Sequence, residues 1–220
     1  MTTISWRCNS RCLPDLSKGY PQKPAVFFDR DGTLIAEEHY LHNPAELKLF
    51  PETIPGLQRL RQAGLSLYIF TNQAGVAHGY FTEADLHLLH QELVQRIAQG
   101  GASLNGIFYC PHHPEAKLQK YRFDCFGRKP NPGLLYLAAC RDHLDLSNSF
   151  VIGDKLTDLK AGKQTGAATI LVLTGYGEQE LTKITPETQP DLVAANLTEA
   201  TEWILERVGS NRTSVSDQHH

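Results

Sequence analysis

Ala25-Val26-Phe27-Phe28 is apolar at every position, and nearly unbroken apolar runs return at Leu65–Phe70, Ile107–Tyr109, Phe150–Ile152 and Thr169–Leu173. A strand with one wet face alternates polar and apolar residues; a strand covered on both faces does not. Between the runs lie stretches with helical spacing. Pro51–Ala63 sets Leu57 and Leu60 on one face and meets Gly64 as a stop. Thr82 opens a second helix, with Asp85 completing a capping box and Leu86, Leu89, Leu93 and Ile97 as the apolar stripe, until Gly100-Gly101 end it. Pro132–Cys140 reads as a third, with proline near the first turn. A fourth follows Asp154 through Ala161, and a last covers Ala200–Arg207 after a short strand at Leu192-Val193. This alternation predicts an α/β fold: a Rossmann-like, doubly wound parallel sheet with helices on both faces. Ligands bind such sheets beyond the carboxyl ends of the strands, so chemistry is expected just after each run.

A chain of 220 residues can bury a proper core as a single domain. The domain is expected over 24–208, with 1–23 an irregular extension outside the fold and 209–220 a flexible tail. Lys and Arg number 21 against 24 Asp and Glu, a net charge of −3, which argues against a nucleic-acid partner. No apolar run approaches the roughly 20 residues of a membrane helix, and no signal peptide is apparent. Five scattered cysteines make no disulfide framework, so a reducing compartment, the cytoplasm, is expected. A monomer is the expected state. Cys8 and Cys12 read as tail cysteines before a ligand pair, and His219-His220 decide nothing.

Asp29-Arg30-Asp31-Gly32-Thr33 sets two carboxylates directly after the buried run. Close negative charges are costly unless a cation or a proton offsets them. A hard divalent ion such as Mg²⁺, held by oxygens, does so, and Gly32 lets the chain turn sharply. The bland alternative is a solvated turn. Thr71-Asn72-Gln73 ends the second run, either as a cradle of hydroxyl and amides for phosphate oxygens or as a plain turn. Arg128-Lys129 precedes a helix, and Lys129 is a compact ammonium suited to neutralising phosphate. Asp154 follows the fourth run as a second metal carboxylate; Asp158 is either its support or a first-turn acid favoured by the helix dipole.

Taken together, Asp29-x-Asp31-Gly-Thr, Thr71, Lys129 and Gly-Asp154-x-x-x-Asp158 resemble the haloacid dehalogenase (HAD) superfamily of phosphohydrolases, from about Ala25 to Gly175. The resemblance implies that Asp29 attacks phosphorus and that Asp31 serves as acid and then base. It implies Mg²⁺ on the Asp29 carboxylate, the Asp31 backbone carbonyl and the Asp154 carboxylate, with Thr71 and Lys129 holding the phosphoryl group. Cys110-Pro-His112-His113 and Cys125-Phe-Gly127, with the loop from Thr71 to Thr82, resemble one branch: the heptose 1,7-bisphosphate 7-phosphatases and histidinol-phosphate phosphatases. That branch implies a zinc loop on Cys110, His112 and Cys125. Gly127 stands where a fourth ligand is usual, so His113, Cys140 or water completes the set, or the loop is metal-free. Substrate contacts carried over are Glu37, Glu38, His39, Tyr40, Asn72, Gln73, Ala74 and Lys155, with Arg128 gripping a second phosphate as a permanently charged fork. His78 stands where the branch usually has arginine. No large cap domain fits between the motifs. The activity implied is Mg²⁺-dependent removal of the 7-phosphate of D-glycero-D-manno-heptose 1,7-bisphosphate, with histidinol phosphate or another small sugar phosphate as the alternative substrate.

Overall fold

The computed structural model describes residues 2–5 and 22–216. Seven strands, β1 Thr2–Ser5, β2 Ala25–Phe28, β3 Ser66–Asn72, β4 Gly106–Cys110, β5 Phe150–Gly153, β6 Ala168–Val172 and β7 Leu192–Ala194, form one sheet. Every pairing is parallel, in the order β1-β4-β3-β2-β5-β6-β7. The main helices are α1 Thr53–Gln62, α2 Ala74–His78, α3 Glu83–Gln99, α4 Gly133–Asp142, α5 Leu156–Lys163, α6 Gly177–Leu181 and α7 Leu197–Ser216.

The unbroken apolar runs have the predicted cause. Val26 and Phe28 of β2 face one core with Leu57, Leu89, Leu93 and Ile204 of α1, α3 and α7. Ala25 and Phe27 face the other, with Leu134, Leu135 and Ala138 of α4 and Ala161 of α5. Each fully buried phenylalanine contributes about 1.5–3 kcal/mol through the apolar surface it removes from water. The capping box of α3 is present: Thr82 Oγ1 accepts from Asp85 N at 3.2 Å, and Asp85 Oδ2 accepts from Thr82 N at 2.8 Å.

Two boundaries differ from expectation. Thr2–Ser5 is not outside the fold but an edge strand, with Ile4 paired to Phe108 and packed on the second core. Its β-branched residues suit a pleated, half-buried edge, and a run this short carries no periodic signal. Cys8 and Cys12 lie outside the described residues. At the other end, α7 continues through Ser216 where a tail was expected from Gly209. Once Leu197, Ala200 and Ile204 anchor the helix, each added residue gains a backbone hydrogen bond without a new nucleation cost. His219 and His220 lie outside the described residues.

Successive connections run outward from β2 through β3 to β4, then restart at β5 on the other side. The sheet therefore switches direction between β2 and β5, leaving a crevice at their carboxyl ends. No helix among the described residues is long and apolar enough to cross a membrane.

Candidate active site

Asp29 follows β2 and Asp154 follows β5, so the switch point brings these two acids together. Asp158, on the first turn of α5, joins them: carboxylate oxygens of all three lie within 4.8 Å of one another, and all three residues are buried. Lys129 enters from the neighbouring loop. Its Nζ lies 2.8 Å from Asp29 Oδ1 and 2.5 Å from Asp158 Oδ1, donates to the Phe70 carbonyl at 3.2 Å, and sits over the Phe70 ring. Asn72 fixes that loop in both directions, donating to the Lys129 carbonyl and accepting from its N–H, each at 3.0 Å.

The charges set one another's protonation. Burial alone pushes Asp29 up, but Lys129 and Lys155 outweigh it and hold the carboxyl below its usual range. Burial works against charged Lys129, yet Asp158 and Asp29 raise it. Asp154 has no ion pair among the described residues. Burial, with Asp29 and Asp158 nearby, pushes it up to about 8. Asp158 is pushed up to about 6 by burial, with Lys129 opposing and Asp29 adding to the rise.

Asp154 also carries the sign of a missing partner. Its Oδ2 accepts from Tyr176 N at 2.9 Å, whereas its Oδ1 is buried without a hydrogen bond among the described residues. A Cβ on Gly32, whose φ is +79°, would fall 2.1 Å from Asp154 Oδ2, so only glycine leaves the space beside this carboxylate. A buried orphan oxygen among three carboxylates fits a hard divalent cation. The third member of this triad is Asp158, and the Asp31 carboxylate stands apart from it. Asp31 instead faces the cavity, with its carboxylate held by Arg30 and by Gln73 Nε2 at 3.0 Å.

A cavity of about 370 Å³ adjoins the triad through Lys129, which lines it. Asp31, Glu37, Glu38, His39 and Tyr40 line one side. Asn72, Gln73, Ala74, Arg128, Lys129 and Lys155 are also in its lining. Thr71 is buried beneath, its Oγ1 accepting from Gln73 Nε2 at 2.9 Å. Lys155 pairs with Glu37 at 3.2 Å and lies over the Tyr176 ring. Burial raises Glu37 more than Lys155 lowers it. Glu38 pairs with Lys48 at 3.0 Å. Arg128 donates to the His112 carbonyl at 3.2 Å and pairs with no carboxylate among the described residues.

Cys110, His112 and Cys125 also come together, all buried, with Cys110 Sγ 3.5 Å from His112 Nδ1. A hydrogen bond with Cys110, and burial, push the Cys125 thiol up. Neither His113 nor Cys140 joins the cluster. Two thiols and an imidazole are a soft donor set that suits zinc, although a closed structural site uses four ligands.

Sequence reasoning missed Arg30, His90, Gly175 and Tyr176. Thr174-Gly175-Tyr176 follows β6 at the same sheet end as the other loops, and that position was the available signal. Nothing in spacing marks Arg30 or His90, because their burial depends on distant elements.

The model of the HAD-hydrolase-like family matches residues 126–200. The D-glycero-beta-D-manno-heptose-1,7-bisphosphate 7-phosphatase of Escherichia coli (strain K12) is 34% identical over 196 residues, spanning 89% of this chain and 95% of that protein. The corresponding D-glycero-D-manno-heptose-1,7-bisphosphate 7-phosphatase of Thermosynechococcus vestitus is 38% identical over 187 residues, 83% of this chain and 95% of its own. The D,D-heptose 1,7-bisphosphate phosphatase of B. bronchiseptica, solved with magnesium and phosphate, superposes with a TM-score of 0.74 at 33% identity, covering 84% of this chain and 99% of that one. Likeness that runs through nearly the whole length of these proteins, in sequence and in fold alike, places the chain with them: it belongs to the heptose-bisphosphate phosphatase family of HAD-like hydrolases and is a phosphoric monoester hydrolase.

Proposed function

We propose that this enzyme removes the 7-phosphate of D-glycero-D-manno-heptose 1,7-bisphosphate through an aspartyl-phosphate on Asp29. The observation that carries the reading is Asp29 itself: a buried carboxylate kept ionised by Lys129, at the sheet's switch point. An Asp29 oxygen forms the new O–P bond as the ester P–O bond breaks, and Asp31 gives its proton to the departing alkoxide. Asp31 then takes a proton from water, whose oxygen attacks phosphorus, releasing phosphate and restoring Asp29. Lys129 and Thr71 hold the phosphoryl oxygens, and Asp158 holds Lys129. Asp29 and Asp154, with the Asp31 backbone carbonyl, would hold Mg²⁺, which supplies charge neutralisation when bound. Cys110, His112 and Cys125 would hold zinc as a structural ion bracing the loop that presents Arg128.

Charge in the cavity favours a second phosphate over a cationic substrate such as histidinol phosphate. Glu37 and Glu38 are each spent on a lysine, while Arg128 has no carboxylate partner among the described residues. A bidentate grip on phosphate gives that guanidinium its counter-charge. The volume of about 370 Å³ lies at the small end of ligand pockets, which suits a monosaccharide. Location in the cytoplasm and action as a monomer complete the proposal.

Phosphate release with Mg²⁺ is the test, on a panel of both heptose bisphosphate anomers, fructose 1,6-bisphosphate and histidinol phosphate. The heptose bisphosphates should give the highest kcat/KM. Preference for histidinol phosphate overturns the substrate, and near-wild-type turnover by Asp29→Asn removes Asp29 as nucleophile.

A further inference from the structure

His90 is fully buried on α3, beside the leucines of its apolar stripe. A leucine there would continue the stripe, so packing does not explain an imidazole. Its Nε2 lies 3.1 Å from Arg30 Nη1. A guanidinium only donates, so Nε2 carries the lone pair and Nδ1 the hydrogen. That Nδ1 is buried with no hydrogen-bond partner among the described residues. Burial, then the charge of Arg30 and the neighbouring His87, keeps the ring neutral by holding it well below its ordinary range. The helix thus leaves one buried donor unsatisfied and gains a single lone pair directed at Arg30.

Arg30 is itself buried, 1% exposed. Its Nε reaches both Asp31 oxygens at 3.2 and 3.1 Å, and its Nη2 reaches Asp31 Oδ1 and Gln73 Oε1 at 3.0 Å each. Gln73 Nε2 returns to Asp31 Oδ2 at 3.0 Å. One planar fork therefore fixes the Asp31 carboxyl, and His90 fixes the free tine of that fork. Without the imidazole, Nη1 becomes a buried cationic donor with no acceptor among the described residues. The guanidinium must then turn to find one, and Asp31 turns with it.

We propose that His90 is a positioning residue for phosphoester cleavage, acting through Arg30 to aim the Asp31 carboxyl at the leaving oxygen. The proposal rests on Asp31 being the acid in the reading above.

An alkoxide needs that proton, whereas p-nitrophenolate leaves without it. The test measures kcat/KM for wild type, His90→Leu, His90→Gln and Asp31→Asn with Mg²⁺. The substrates are the best primary-alkyl phosphate of the panel above and p-nitrophenyl phosphate. His90→Leu should lose roughly 10- to 100-fold on the alkyl ester. It should stay within about twofold on the aryl ester at an unchanged Tm, since a merely structural defect would strike both substrates. His90→Gln, which keeps an acceptor for Nη1, should recover most of the loss. Equal losses on both esters, no loss, or no recovery by glutamine overturns the role of His90. Should His90→Leu fail to fold, Arg30→Lys replaces it, a point charge without the fork, and must show the same selective loss. Asp31→Asn separates the failures. If it loses the alkyl ester selectively and His90→Leu does not, only the His90 proposal falls. If Asp31→Asn shows no selectivity, or wild type turns over no alkyl phosphate, the acid assignment falls and takes this proposal with it.

Discussion

Lys129→Met removes one positive charge from between two buried carboxylates and keeps the volume of the side chain. The ammonium lies 2.8 Å from Asp29 and 2.5 Å from Asp158 and is buried with them. Removing one partner of a buried ion pair costs about 3–5 kcal/mol, because the remaining charge is left uncompensated. Taking ~4 kcal/mol and a urea slope of ~2 kcal/mol per molar, the unfolding midpoint should fall by about 2 M at pH 8 with chelator present. The loss should shrink on acidification. Lys129 has a folded pKa above the unfolded 10.5, so its contribution is complete below 10.5 and is lost only as pH rises through the folded value. Asp29 is depressed below 3.8, so its contribution is present above 3.8 and is lost as pH falls through the folded value. Both contributions are therefore constant for the wild type between pH 5 and 8. In the variant, the ammonium no longer opposes the burial that already lifts Asp158 to about 6, and only the Lys155 N–H still does. Its carboxylates bind protons more tightly folded than unfolded, and stability recovers as pH falls from 8 towards 5. Equilibrium urea unfolding at several pH values measures the effect. A loss below about 1 kcal/mol at pH 8, or one that stays constant down to pH 5, refutes the charge balance argued for this site. Phosphatase turnover should fall at least 100-fold, since the lysine is assigned to the transferring phosphoryl group.

Gly32→Ala forces a side chain into a φ of +79° and sets a Cβ 2.1 Å from Asp154 Oδ2. It should cost more than about 1 kcal/mol of stability and weaken magnesium binding measured by calorimetry; unchanged affinity removes Gly32 from the cation's surroundings. Phe28→Ala opens a hole in a fully buried strand position and should cost about 3–5 kcal/mol in chemical denaturation, with a cost below ~1 kcal/mol contradicting the packing described. Protein purified without chelator should carry about one zinc by elemental analysis, lost in Cys110→Ser, with a lower Tm after chelation; zinc-free protein of the same Tm means that packing alone holds the loop.

Much of the site was legible before any tertiary contact was known. Asp29, Thr71 and Asp154 each follow an unbroken apolar run, and in a parallel sheet all such ends lie on one edge. The capping box at Thr82 was legible too, because a helix start is a matter of three or four neighbouring residues. The strand at Thr2–Ser5 was not, since four residues on a sheet edge owe their conformation to the Gly106–Tyr109 backbone beside them. Nor were the partners of the Asp31 carboxylate, which the structure turns towards Arg30 and Gln73.

Local chemistry and periodicity, written in the order of residues along the chain, settled the parallel α/β architecture and the loops that bear its chemistry. Which charges meet was decided only by folding. Glu37 reaches Lys155 across 118 residues, Lys129 is shared by Asp29 and Asp158, and His90 of one helix props Arg30 of a distant loop. Such pairings carry no periodic signature, because Coulomb and hydrogen-bond energies depend on distance in space and on burial, and both come into being only when the sheet and its covering helices close around them.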